Sequence, residues 1–333
     1  MPDTLDIAIV GATGTVGETL VQVLEERNFP VGQLHLLASQ ASVAQSVPFQ
    51  GRNLRVKALD GFDFAQVGLA FFCATEAVSE ACAQMAAKAG CTVIDLAAAG
   101  GVPVVVPEIN GHELGEAPWP QRLGTPGSIA TAVALALSPL SHLLTLEHLT
   151  VTACLPMSAQ GREAVRELAR QTTELLNARP LEPQLFDRQV AFNLLGQVGT
   201  PDAAGHLALE KRAHRELREL LRMPLLNVAV SCIQAPVFFG DSLSVTVRTA
   251  EPVDLQAVCQ ALERAPGVEW TGAQDYPTAV GDAVGQDVLY IGRVRSGIDA
   301  PCELSLWLTL DNARKGAALN AVQLAELLIK GLS

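Results

Sequence analysis

The chain has 333 residues, 49% hydrophobic and 17% charged, a length and composition that suit two globular domains better than one core. A formal net charge of −12 argues against nucleic acid or an anionic membrane surface as partner. No apolar run approaches the roughly 20 residues of a membrane-spanning helix, and the polar start MPDTLD gives no sign of a signal peptide. Seven cysteines without Cys-x-x-Cys spacing read as reduced thiols in a cytoplasmic protein, and no metal site is expected.

In chain order, the first predicted element is a short strand at 7–10, followed by GATGTVG (11–17) and an amphipathic helix over 18–26. Strand, glycine turn and helix in that order form a dinucleotide fingerprint. The glycines let the backbone turn tightly and approach a pyrophosphate, which the helix N-terminus stabilises with free N–H groups and its dipole. Gly11, Thr13, Gly14, Thr15, Val16 and Gly17 are therefore candidate cofactor contacts. Apolar runs at 34–37, 67–73 and 92–96, with a helix over 77–89, continue at βαβ spacing and predict a parallel sheet. The second strand ends in ASQASVAQ, with neither the acid that usually holds the ribose of NAD nor an arginine.

The pattern then changes. GTPGSIATAVALAL (124–137) is a Gly/Pro turn running into a small-residue apolar helix. Strands are predicted over 147–155, 225–237, 243–249 and 304–310, and charged amphipathic helices over 162–177 and 207–221. The segment DNARKGAALNAVQLAELLIKG opens on an Asp/Asn cap signal and continues as a helix with apolar Ala318, Leu319, Val322, Leu324, Ala325 and Leu328. The expected fold is α/β: a parallel-sheet domain, then an α+β domain whose sheet is exposed or covered by an interface.

DNARKGAALNAVQLAE (311–326) resembles the closing signature of aspartate-semialdehyde dehydrogenases. GATGTVG matches that family's opening motif, VPVVVPEIN (102–110) resembles its VPLVVPEVN, and AFNLLGQVG (191–199) resembles its AFNVIPQIG, all in family order. The resemblance implies a Rossmann-type domain over 1–127, joined by a returning C-terminal helix at 313–333, and a substrate-like, homodimer-forming domain over 128–312. It also implies NAD or NADP as cofactor, with Ser39, Asn320 and Gln323 near the nucleotide. The family reaction is reductive dephosphorylation of β-aspartyl phosphate through a cysteine thioester, with a histidine to move the proton and an arginine for the substrate carboxylate.

At the matching positions this chain departs from the pattern. GTPGSIAT places Ser128 at the cysteine, QAPVFFGDS places Asp241 at the histidine and Gln234 at the arginine, and LPMSAQG places Leu155 at the glutamine. AAAGG (97–101) replaces the segment with the phosphate arginine, and Ser39-Gln40-Ala41-Ser42 lacks the arginine that grips the 2′-phosphate of NADP. The substrate-helix pattern Glu-x-x-Lys aligns loosely with 209–212 and keeps only a cation.

Without a base, a serine hydroxyl stays protonated, and Ser128 reads most simply as a helix cap. Asp241 reads as a turn residue whose carboxyl, at an ordinary pKa near 4, is a poor base at neutral pH. His206 and His214 read as solvated, His112 as at best near the cleft, and Cys73 as a packed thiol. The charged stretch 214–222 reads as a solvated face. These readings lead to a family homologue that has lost the reaction and keeps a nucleotide site. The alternatives are an active NAD(P)-dependent oxidoreductase on aspartate semialdehyde or another aldehyde or acyl phosphate, and a non-catalytic dimer partner.

Overall fold

The computed structural model describes residues 4–98, 101–114 and 120–330. In chain order the elements are β1 (Leu5–Val10), α1 (Thr15–Glu26), β2 (Val31–Ala38), β3 (Ser46–Phe49), β4 (Arg52–Arg55), β5 (Lys57–Ala58), β6 (Leu69–Phe72), α2 (Glu76–Lys88), β7 (Thr92–Asp95), α3 (Pro107–Asn110) and β8 (Arg122–Gly124). Then follow α4 (Ser128–Leu137), β9 (Leu146–Leu155), α5 (Arg162–Leu176), α6 (Ala208–Leu220), β10 (Asn227–Gln234) and β11 (Asp241–Thr249). The last are α7 (Leu255–Glu263), β12 (Val268–Trp270), β13 (Leu289–Gly297), β14 (Ala300–Leu310) and α8 (Leu319–Lys330). They divide into two compact units, Met1–Gly127 with Ala317–Ser333, and Ser128–Gly316.

The first unit holds a sheet in the order β5-β2-β1-β6-β7-β8, parallel throughout. Ile7, Ile9, Leu69, Phe71 and Ile94 are buried on one face against Leu20, Val21 and Leu24 of α1 and Leu319, Val322 and Leu328 of α8. Ala8, Val10, Phe72 and Val93 are buried on the other, with Ala83 and Ala86 of α2. Strands covered on both faces read as continuous apolar runs, so their pattern is visible in sequence. The short β3–β4 hairpin, exposed at Ser46, Pro48, Arg52, Asn53 and Arg55, carries no comparable run.

The second unit holds a mixed sheet in the order β10-β9-β11-β14-β13-β12. β11 pairs antiparallel with both β9 and β14, placing Val245 level with Val151 and Leu306. Along β9, β11 and β14 these residues and their alternate neighbours Leu149, Ala153, Leu243, Val247, Leu304 and Leu308 form one buried face. α4 packs against that sheet, and every residue from Ile129 to Leu137 is buried. Its apolar positions therefore need no amphipathic spacing.

Two local expectations are corrected. The stretch 214–222 is not simply a solvated face. Glu216 is fully buried and ion-paired with Arg212 one turn earlier, at 2.7 Å, and Leu217 and Leu220 are buried beside it. The C-terminal helix does not run straight from the Asp311 cap: residues Arg314–Ala318 form a wider π turn before α8 begins. Asp311 still caps it, accepting from Ala313 N and Arg314 N at 2.9 Å.

Candidate functional site

In the first unit the glycine turn leaves β1 and enters α1 at the C-terminal edge of the parallel sheet, where open α/β sheets bind ligands. Gly11 has φ +85°, and a Cβ there would collide with the Cys73 carbonyl. A Cβ at Gly17 would collide with the Gly11 carbonyl and the Ala12 Cα. Gly14 is exposed at the start of α1, and no side chain caps the helix. The first-turn N–H groups of a helix have no acceptor inside it. The backbone from Gly11 to Gly17, in which Thr13, Thr15 and Val16 are half-buried, thus makes a turn that fits the diphosphate of a nicotinamide dinucleotide.

Ser39 follows β2 at the same edge and is exposed. Gly11 N and Ala12 N donate to Leu37 O at 2.8 and 3.2 Å, so the glycine turn is bonded directly to the end of that strand. Asn320 is buried, its Nδ2 donating to Val105 O at 3.0 Å, and its Oδ1 has no partner. Gln323, one turn further along α8, borders a small cavity of about 200 Å³ with Pro107, Glu108 and Lys330. Cys73 lies close to the turn, but burial and the Asp95 carboxylate push its thiol far above the ordinary range, leaving it protonated and inert. His112 is exposed at 3.7 Å from Glu113. Ala99 and Gly100 of the AAAGG segment lie outside the described residues.

In the second unit the four sequence-selected positions come close to one another. Ser128 is the first residue of α4, and a Cβ on Gly316 would lie 2.6 Å from its Cβ, so only glycine lets that segment pass. Asp241 opens β11 and is 0% exposed. The Ser128 hydroxyl faces its carboxyl, but neither carboxyl oxygen closes a hydrogen bond of good geometry. Burial first, and then the nearby Asp311 carboxylate, raise Asp241 to about 7 against the pull of Ser128. Asp311 is well supplied, accepting from Gly285 N at 2.8 Å in addition to its two capping bonds. Asn312, beside it, accepts from Ser158 Oγ and Gly240 N, both at 3.1 Å.

Asp241 is therefore no exposed turn residue with an ordinary carboxyl, as its Gly-Asp-Ser context suggests. It is a strand residue with no route for water to solvate its charge. Sequence reasoning missed this because burial is decided by α4 and by β14, far away in the chain.

Gln234 ends β10 at 2% exposure. Its Nε2 donates to Leu155 O at 2.9 Å, joining two of the selected positions through an internal bond. His206 is exposed and His214 half-buried, the latter's pKa lowered by burial and by Arg218. Among the described residues no cluster of three or more His, Cys, Asp or Glu could hold a metal ion. None of their helices is long and apolar enough to cross a membrane.

Known proteins place this arrangement. Residues 6–117 match the profile of the semialdehyde dehydrogenase NAD binding domain, and residues 137–315 that of the semialdehyde dehydrogenase dimerisation domain. The fold is that of a semialdehyde dehydrogenase-type protein, an NAD binding domain followed by a dimerisation domain. The USG-1 protein homolog of Azotobacter vinelandii is 58% identical over 99% of both chains. Aspartate-semialdehyde dehydrogenase 2 of Vibrio cholerae is 38% identical, again over 99% of both. The solved structure of a probable aspartate-semialdehyde dehydrogenase from Pseudomonas aeruginosa superposes with a TM-score of 0.95 at 54% identity, covering 99% of this chain and 100% of that one. The chain belongs to the aspartate-semialdehyde dehydrogenase family.

Proposed function

We propose that this family member no longer performs the phosphorylating dehydrogenase reaction and retains a nucleotide-binding unit and a homodimer-forming unit. Gln234 carries the reading. The side chain at the substrate-arginine position is neutral, buried and bonded to Leu155 O, so it is part of the packing rather than a fork for a carboxylate. Ser128 supplies a hydroxyl where a thiolate is needed, and residues that act as a unit in a reaction are not recovered singly.

One observation favours a second reading, an oxidoreductase that dispenses with the thioester. A carboxyl held near 7 against a serine hydroxyl is a serviceable proton acceptor at neutral pH. Its complete burial weighs against direct contact with substrate.

The test is an assay with aspartate semialdehyde and NAD or NADP, with and without phosphate. The expected result is no turnover in either mixture, including in the double variant Ser128→Cys, Asp241→His, which still lacks the substrate and phosphate cations. Phosphate-dependent turnover on the order of one per second overturns the proposal. Phosphate-independent turnover whose rate follows a titration near 7, and is lost in Asp241→Asn, establishes the second reading instead.

A further inference from the structure

At the end of β2, the strand whose Leu37 carbonyl accepts from the glycine turn, lies a cavity of about 340 Å³, within the range of roughly 300–1,000 Å³ typical of small-molecule sites. It opens where β2 and β5 end, both at the C-terminal edge that carries the glycine turn. Its walls are mainly apolar: Phe62 and Leu59 from the turn after β5, and Met85 from α2. Phe62 is held edge-on by His35 and Phe64, at ring separations of 5.3 and 5.1 Å, so it presents a fixed aromatic surface. The polar residues lining the cavity are Ser39, Gln40 and Asp60. No lysine or arginine is among its lining residues. Lys57, the nearest cation in sequence, precedes the lining residue Ala58 in β5 and acts on His35, whose pKa it helps to lower.

An apolar slot with an aromatic wall suits a flat heteroaromatic base, and hydroxyl, amide and carboxylate groups suit ribose hydroxyls. A carboxylate with no cation in the lining opposes a phosphate dianion. We infer that this cavity takes the adenosine half of a dinucleotide lacking a 2′-phosphate, and that Asp60 makes the chain select NAD over NADP. The inference rests on the nucleotide-binding reading above and adds to it the chemistry of the ribose. The acid absent from the end of β2 is supplied by the turn after β5.

The experiment is calorimetric titration of the full-length protein with NADH and with NADPH, at fixed ionic strength, for the wild type, Asp60→Asn and Met85→Trp. Asp60 is an exposed turn residue and Met85 is 57% exposed, so neither change threatens the fold. NADH is expected to bind about tenfold more tightly than NADPH or better, and Asp60→Asn to bring the ratio below about threefold, chiefly by improving NADPH. Met85→Trp fills the cavity and weakens both ligands about tenfold or more. NADPH binding as tightly as NADH, or a ratio unmoved by Asp60→Asn, overturns the selectivity and leaves nucleotide binding standing. Affinities unmoved by Met85→Trp overturn the placement of adenosine in this cavity. No binding of either nucleotide at millimolar concentration overturns the nucleotide-binding reading itself.

Discussion

Two helices of this chain start at sharp turns after parallel strands, and their first residues are treated in opposite ways. α1 begins behind exposed Gly14 with no capping side chain. α4 begins with Ser128, packed under Gly316 and facing the buried Asp241, on a helix buried along its whole apolar length. Both have the dipole and free N–H groups that attract an anion. The first begins in the open, and the second begins at a serine whose hydroxyl faces a buried carboxyl.

The largest expected effect breaks the open end. Gly17→Ala drives a Cβ into the Gly11 carbonyl and Ala12 Cα, both backbone, and should cost more than about 4 kcal/mol in denaturant unfolding while abolishing NADH binding. A variant as stable as the wild type would show that the turn is not close-packed.

Asp241→Asn tests the closed end through pH. The folded-state pKa of about 7 lies above the ordinary aspartate value of about 3.9, so between pH 4 and 7 the native state holds a proton that the unfolded chain has released. Stability from this group is therefore full below about pH 4 and lost as pH rises through 7. Wild-type unfolding free energy should fall by about 3 kcal/mol from pH 5 to 8 on this account, and the asparagine variant should lack that slope. The variant is expected to match the wild type near pH 4 and exceed it at pH 8. Parallel pH profiles for the two proteins would mean that Asp241 is solvated.

Gln234→Ala removes a buried amide and leaves the Leu155 carbonyl without that donor, at an expected cost of about 2–3 kcal/mol and with no change in nucleotide affinity. An altered affinity would mean that Gln234 serves a ligand. Smallest is Arg27→Ala. Arg27 grips Glu326 with two bonds of 2.7 Å between α1 and α8, but both side chains are partly exposed, so about 0.5 kcal/mol is expected in thermal unfolding.

The first unit was legible because glycines and doubly covered strands leave signals in sequence: GATGTVG, and apolar runs at 34–37 and 92–96 that fall inside β2 and β7 or reach one residue past the end. The site positions were legible only as identities. Serine, aspartate and glutamine at 128, 241 and 234 can be read from motif register, but their burial depends on packing between strands and a helix far apart in the chain. Glu216 was misread for the same reason, since a charged helix shows its charges and not which of them point inward. The ribose-side acid was sought at the end of β2, where convention puts it, and Asp60 reaches the cavity from a turn that contributes no periodic signal.

The return of α8 has a consequence for how the protein is made. The first unit's core needs Leu319, Val322, Leu324 and Leu328, while its other residues have all been translated by Gly127. The intervening Ser128–Gly316 stretch is roughly 190 residues, about 10–40 s of synthesis at about 5–20 residues per second. During that interval Leu20, Leu24 and Phe71 have no partner from α8, and the unit encoded second is complete before the unit encoded first. A ribosome stalled within the last few turns would therefore release a finished dimer-forming unit attached to an unfinished, apolar nucleotide unit, an aggregation-prone intermediate that the full-length chain removes by its closing helix.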